Sequence, residues 1–214
     1  MARAVATRSS DLPKDAIALL KNDHRTIEQL FDEFERTEED SELSHLAERI
    51  CQLLNVHAQI EEELFYPQVR AAFEEEAGEE AVELVDEAAV EHDTVKSLIA
   101  RIESMTPDDQ GFRPTVKVLG EYVKHHVREE EREIFPKLRS ARVDVKQMGT
   151  ALADRKHALM EELGVPEEET RAAAPARRKR AKTTARARGR KATGRAATAS
   201  RQRARANGGR TARH

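Results

Sequence analysis

Apolar residues recur at intervals of three and four from Ala16 to Phe34, the spacing of one face of an α-helix. Ile17, Leu20, Ile27, Leu30, Phe31 and Phe34 form the inward stripe of this first predicted element. Ser10 or Asp11 ahead of Leu12-Pro13 is a start signal, since a proline in the first turn gives up no hydrogen bond. The polar run Glu38-Glu39-Asp40-Ser41 ends the element. A second helical pattern follows from Leu43 to Phe73, with Leu46, Ile50, Leu53, Leu54 and Leu64 inward. Pro67 interrupts it and predicts a kink, because its ring removes a backbone donor. Gly78 precedes a third helix, Glu79 to Met105, striped by Val82, Val85, Val95, Ile99 and Ile102. The turn Thr106-Pro107-Asp108-Asp109-Gln110-Gly111 leads to a fourth, Arg113 to Leu138, carrying Val116, Leu119, Val123 and Ile134. A shorter amphipathic stretch, Val143 to Leu163, stops at Gly164 and Pro166 and predicts a fifth helix packed across the others.

Long helices joined by short polar turns pack as antiparallel neighbours, so the pattern predicts an all-α, up-down-up-down four-helix bundle. The chain divides into a flexible N-terminus (1–12), the bundle (13–140), an accessory helix (141–166) and a tail (167–214). Low aromatic content, no Trp and 36% charged residues agree with a helical domain. Each buried Leu, Ile or Phe contributes about 1.5–3 kcal/mol, enough here for a stable core. No apolar run approaches the roughly 20 residues that span a bilayer. The start, MARAVATRSSD, lacks the apolar centre of a signal peptide, so the expectation is a cytoplasmic protein with no membrane partner. Cys51 is the single cysteine; beside Ile50 and Leu54 it reads as a small core residue.

Charge changes this picture. The net value of -3 conceals 16 Lys or Arg and no Asp or Glu in 171–214, leaving 21 basic against 40 acidic residues in 1–170. An acidic body carries a basic tail, and the two need separate explanations.

The chemistry lies in an internal repeat. His57 to Pro67 reads HAQIEEELFYP and His126 to Pro136 reads HVREEEREIFP, each with Glu four residues after His. Ahead of them stand Asp23-His24-Arg25 and Glu91-His92-Asp93. Each half is thus a helix with one His followed by a helix with His-x-x-x-Glu. Residues i and i+4 share a helix face, so His57 with Glu61, and His126 with Glu130, present an imidazole and a carboxylate together. His24 and His92 on neighbouring helices add nitrogen donors, and all six lie on inward stripes. Buried without partners these groups cost several kcal/mol, and a shared metal supplies the partner. Imidazole with carboxylate suits non-haem iron, although zinc and manganese take the same donors. Two facing glutamates suit a dinuclear centre.

On these motifs, residues 14–140 resemble the hemerythrin-like family, the hemerythrin HHE cation-binding domain. The resemblance implies a bundle around two non-haem irons, oxo- or hydroxo-bridged, with His24, His57, Glu61, His92, His126 and Glu130 as ligands. Oxygen-carrying members have a fifth histidine four residues before the third-helix ligand, where this chain has Ala88. They also place Asp five residues after the fourth-helix His, where this chain has Glu at four. These departures shift the expectation from oxygen carriage to a small peroxide, O2 or NO ligand, or to iron sensing or sequestration. An enzyme of this kind is a catalase-like peroxide consumer or an NO/O2-reducing oxidoreductase. Glu28, four residues after His24, and Tyr122, one turn before His126, are candidates for an auxiliary ligand or supporting donor, with Tyr122 favoured over Tyr66. Glu62 and His125 are expected at the surface, and Asp23 and Asp93 either orient histidines or are solvated.

The tail has almost no large apolar side chain and is expected to be disordered alone. Arg177, Arg178, Lys179, Arg180, Lys182, Arg186, Arg188, Arg190 and Lys191 form its densest positive run, suited to non-specific nucleic acid and a nucleoid location. Without aromatics it has nothing to stack on bases. The alternative function is therefore a DNA-associated scaffold acting through the tail.

Overall fold

Asp15 caps the first helix: its side chain accepts the Ala18 N–H at 2.8 Å, and α1 runs Ala16–Arg36. A computed structural model describes residues 15–165. The start signals at Ser10 and Asp11, the N-terminus 1–12 and the whole basic tail lie outside the described residues. After α1 come α2 (Asp40–Ile60), a π-turn at Glu61–Phe65, and α3 (Tyr66–Glu76). Gly78 adopts φ +86°, a conformation open to glycine, and α4 (Glu79–Glu103) starts directly after it. α5 (Phe112–Glu129) passes through a second π-turn, Glu130–Ile134, into the single-turn α6 (Phe135–Leu138), and α7 covers Val145–Glu162. No strand occurs among the described residues.

The expected kink at Pro67 takes the form of the π-turn, and Pro136 repeats it. A proline cannot donate, and its ring crowds the carbonyl four residues back. The helix widens just ahead of each proline, so that Tyr66 N–H bonds Glu61 O and Phe135 N–H bonds Glu130 O. One extra residue in a turn advances the following side chains by about 100°. Phe65 and Tyr66 are consequently both buried, as are Ile134 and Phe135.

α1 packs on α2 and α5, while α4 packs on α5 and on α2–α3, closing a ring of four rods around a core that includes Leu20, Ile27, Ile50, Phe65, Phe73 and Leu119. This is the four-helix bundle expected from the pattern. The fifth helix lies against α1, α2 and the first π-turn. Gly149 makes that docking possible: a Cβ there would meet the Ala16 nitrogen and the Asp15 carbonyl carbon at 2.6 Å. Cys51 is buried, and burial together with the Glu103 and Glu48 charges pushes its thiol up to about 12. No described helix is long and apolar enough to cross a membrane.

Candidate metal centre

The four inward histidines and two glutamates converge in the middle of the ring, each at most 5% exposed. Donor atoms of His24, His57, Glu61 and Glu130 lie within 4.8 Å of one another, and those of Glu61, His92 and His126 form a second such group. Glu61 belongs to both. His24 Nε2 stands 3.2 Å from Glu130 Oε2, His57 Nε2 3.3 Å from Glu61 Oε2, and His92 Nε2 3.2 Å from His126 Nε2. Both Glu61 oxygens, Glu130 Oε2, His24 Nε2 and His57 Nε2 are buried yet make no hydrogen bond. Buried polar atoms are ordinarily paired, so this set of orphaned, inward-facing donors fits metal cations.

An outer shell of carboxylates holds the rings, and it repeats with the sequence. Glu62 Oε1 pairs with His92 Nδ1 at 2.9 Å, and its counterpart Glu131 pairs with His24 Nδ1 at 3.1 Å. Glu91 Oε2 meets His126 Nδ1 at 2.8 Å; its counterpart Asp23 stands 3.8 Å from His57 Nδ1, beyond hydrogen-bond length. A carboxylate on Nδ1 fixes the ring orientation and presents Nε2 to the centre. Lysines neutralise this shell: Lys96 on Glu62 at 2.6 Å, Lys21 on Glu131 at 2.7 Å, and Lys156 of α7 on Asp23 at 2.5 Å.

Protein groups alone leave the centre electrostatically uneven. Burial, then the Glu130 charge, pushes the Glu61 carboxyl well above its ordinary range. Burial acts the same way on Glu130, but the His24 imidazole 3.2 Å away and the other neighbouring imidazoles outweigh it and hold that carboxyl at about 2. Burial would lower His24, yet Glu130 and Glu131 raise it to about 9. Burial, then the His126 charge, lowers His92 to about 4, and burial lowers His57 as well. Cations are ligated by neutral imidazoles and ionised carboxylates, so a bound metal would displace the protons that His24 and Glu61 otherwise hold.

The structure separates the other candidates. Tyr122, favoured from its spacing, is 46% exposed, whereas Tyr66 is 5% exposed and stands in the centre. Its hydroxyl donates to Glu130 Oε1 at 3.1 Å and stands 3.3 Å from His92 Nε2 and 3.5 Å from His126 Nε2. The reason is the π-turn, which brings the fifth residue after Glu61 inward when an even helix would turn it about 140° away. Phe135 occupies the matching place in the second half and stacks on His24 with centroids 6.0 Å apart. Glu28 is half-buried and falls in neither donor group. Glu62, expected in solvent, is half-buried on His92, and Asp93 is exposed while Glu91 takes the orienting role. His125 is exposed, as expected. The outer-shell residues were hard to single out because glutamates crowd both motifs and helix spacing alone does not tell which of them faces a neighbour. Their matched places in the repeat, Glu62 with Glu131 and the residue before each first histidine, were the available signal.

Bundle and centre together define a helical protein that gathers histidine and carboxylate donors for metal cations. The hemerythrin HHE cation-binding domain matches residues 15–138, and the chain belongs to that family. A DNA nickase of Nostoc sp. (strain PCC 7120 / SAG 25.82 / UTEX 2576) is 28% identical over 148 residues, 68% of this chain and 40% of that one. An uncharacterized hemerythrin-like protein of Schizosaccharomyces pombe is 27% identical over 114 residues, 53% of this chain and 54% of that one. The chain thus spans about half or less of the length of these curated relatives. The crystal structure of a hemerythrin HHE cation-binding domain-containing protein from Mycobacterium kansasii, an Rv2633c homologue, superposes with TM-score 0.59 at 20% identity. That match covers 73% of this chain and 98% of the other, and shows the shared fold.

Proposed function

We propose that the chain is a non-haem di-iron protein that acts on peroxide, dioxygen or nitric oxide. The observation that carries this reading is the pair of donor groups sharing Glu61, set against a small apolar cavity. His24 and His57 would hold one iron and His92 and His126 the other, with Glu61 and Glu130 between them. Adjacent donors about 2.1 Å from one ion stand about 3 Å apart, and the Tyr66 hydroxyl has that spacing from His92, His126 and Glu130. Tyr66 would therefore be placed to serve the second iron, in the role that the fifth histidine has in an oxygen carrier, where this chain has Ala88. Bound iron would supply electrons to, or accept them from, the small ligand.

The chain's own residues set the rest. The cavity, about 20 Å³, is lined by Ile27, Leu54, Val95, Val123 and Val127 beside the four histidines. It takes a species of the size of water, dioxygen, nitric oxide or peroxide, and its apolar wall keeps bulk solvent from the centre. Without metal, the Tyr66 hydroxyl donates to the Glu130 Oε1 carboxylate oxygen and orients it. Glu62, Glu91 and Glu131 hold their imidazoles with Nε2 turned inward.

Metal analysis and an optical spectrum of aerobically purified protein test the centre, with about two irons per chain expected. Peroxide consumption that disappears in His57→Ala and Glu130→Ala supports a redox enzyme. Stoichiometric iron or ligand uptake without turnover points instead to sensing or sequestration. Protein that holds no metal, with variants that behave as wild type, overturns the assignment.

A second reading rests on charge: 16 basic residues and no acidic ones in 171–214 suit non-specific nucleic acid, making the bundle a scaffold near DNA. DNA retardation by the full chain should weaken with rising salt and disappear when all 16 Lys and Arg of 171–214 are replaced by Gln. Retardation that survives this replacement removes the reading.

A further inference from the structure

The two halves of the bundle match inside but differ outside. In the first half, the residues just before His57 and Glu61 are Val56 and Ile60, 1% and 0% exposed, on the helix that α7 packs against. Their counterparts before His126 and Glu130 are His125 and Glu129, with side chains 54% and 33% exposed. α5 and the π-turn after it thus carry two His-x-x-x-Glu pairs one residue apart, His126 with Glu130 facing the core and His125 with Glu129 facing solvent. His125 Nε2 stands 3.2 Å from Glu129 Oε1 and 3.4 Å from Glu91 Oε1 of α4. The other Glu91 oxygen meets Nδ1 of His126, so a single carboxylate joins the exposed group to a histidine of the internal centre. Glu91 itself is 16% exposed and is fixed by that bond. On the first half the corresponding carboxylate, Asp23, is closed off by Lys156.

We propose that Glu91, His125 and Glu129 form a surface docking site for a divalent transition-metal ion at the rim of the internal centre. Their donor atoms lie within 4.8 Å of one another, and one imidazole with two carboxylates selects a first-row transition ion over Mg²⁺ or Ca²⁺, which favour all-oxygen sites. The ion would sit between the His125 imidazole and the Glu91 and Glu129 carboxylates, whose oxygens already stand 3.4 and 3.2 Å from His125 Nε2. Water completes the coordination on the exposed side, so the ion exchanges freely, unlike one held in the buried centre.

The test counts Co²⁺ bound to metal-stripped full-length protein by equilibrium dialysis, for wild type, His125→Ala and Glu129→Gln. Both substitutions are at the surface, and Glu129→Gln leaves Glu91 and His126 untouched. Each variant should bind one Co²⁺ fewer per chain than wild type, the lost ion being the weakest, while the iron content of aerobically purified protein stays unchanged. Equal Co²⁺ counts and superimposable isotherms for all three proteins overturn the proposal, as does wild-type protein that binds no Co²⁺. If wild type binds one Co²⁺ that both variants lose, the surface site stands and the internal centre is the reading that fails.

Discussion

Tyr66→Phe removes one oxygen from the centre and little else. The ring keeps its packing against Phe65, 5.6 Å away between centroids, and against His92 at 5.3 Å. Phe135 already occupies the matching position, which shows that the backbone there accepts phenylalanine. What is lost is the 3.1 Å bond to a Glu130 carboxylate that is fully buried. A hydrogen bond to a buried charged group contributes about 2 kcal/mol, which lowers Tm by roughly 4–8 °C in a domain of this size. That is the expectation for metal-stripped protein. In iron-loaded protein the loss should be larger if Tyr66 ligates the second iron as proposed, and visible absorption from phenolate bound to ferric iron should then vanish. Iron content should hold, since the four histidines and two glutamates remain. The assay is paired thermal unfolding of loaded and stripped protein, with absorption spectra and peroxide turnover. Equal Tm losses in both forms, with spectrum and turnover unchanged, refute a role at the metal and leave Tyr66 as a packing residue.

Three further outcomes follow from the same geometry. Metal-stripped protein should be most stable near neutral pH, as measured by chemical denaturation between pH 4 and 9.5. His92 is held at about 4, below its unfolded value near 6.5, so the unfolded chain binds more protons in that window and stability falls by up to ~3 kcal/mol as pH drops through it. His24 is raised to about 9, so its contribution is complete below pH 6.5 and is lost as pH rises through 9; a flat profile contradicts both assignments. Glu62→Gln and Glu131→Gln, which loosen His92 and His24, should each weaken metal retention roughly 10–100-fold against a chelator, and unchanged release rates count against the orienting role. Lys156→Met leaves the buried Asp23 carboxylate without its ammonium and should cost about 3 kcal/mol in denaturant, whereas Lys156→Arg should retain most of the stability; a silent Lys156→Met removes the brace from α7.

The fold was legible because its causes are local. Three- and four-residue apolar spacing, Gly78 before α4 and polar breaks between segments each act within a few residues, and they placed four long helices and a fifth. The six inward histidines and glutamates were legible for a similar reason, since spacing puts them on buried stripes and the repeat puts them there twice. The choice between Tyr66 and Tyr122 was made at the level of the turn. One turn before His126, Tyr122 lies at the edge of the inward stripe and is exposed on α5, whereas the hydrogen bonds that bypass Pro67 add a residue to the turn and carry Tyr66 to the centre. The outer shell was decided by tertiary structure alone. Glu62 and Glu131 look like any glutamates in an acidic helix until a neighbouring helix sets a histidine against each. Asp23 and Glu91 occupy the same place in the repeat, yet one faces Lys156 of α7 and the other His125 at the surface. Sequence alone therefore determined which residues turn inward. Only the packing of α7 on one half decided that the outer face of α2 is covered while that of α5 stays in solvent.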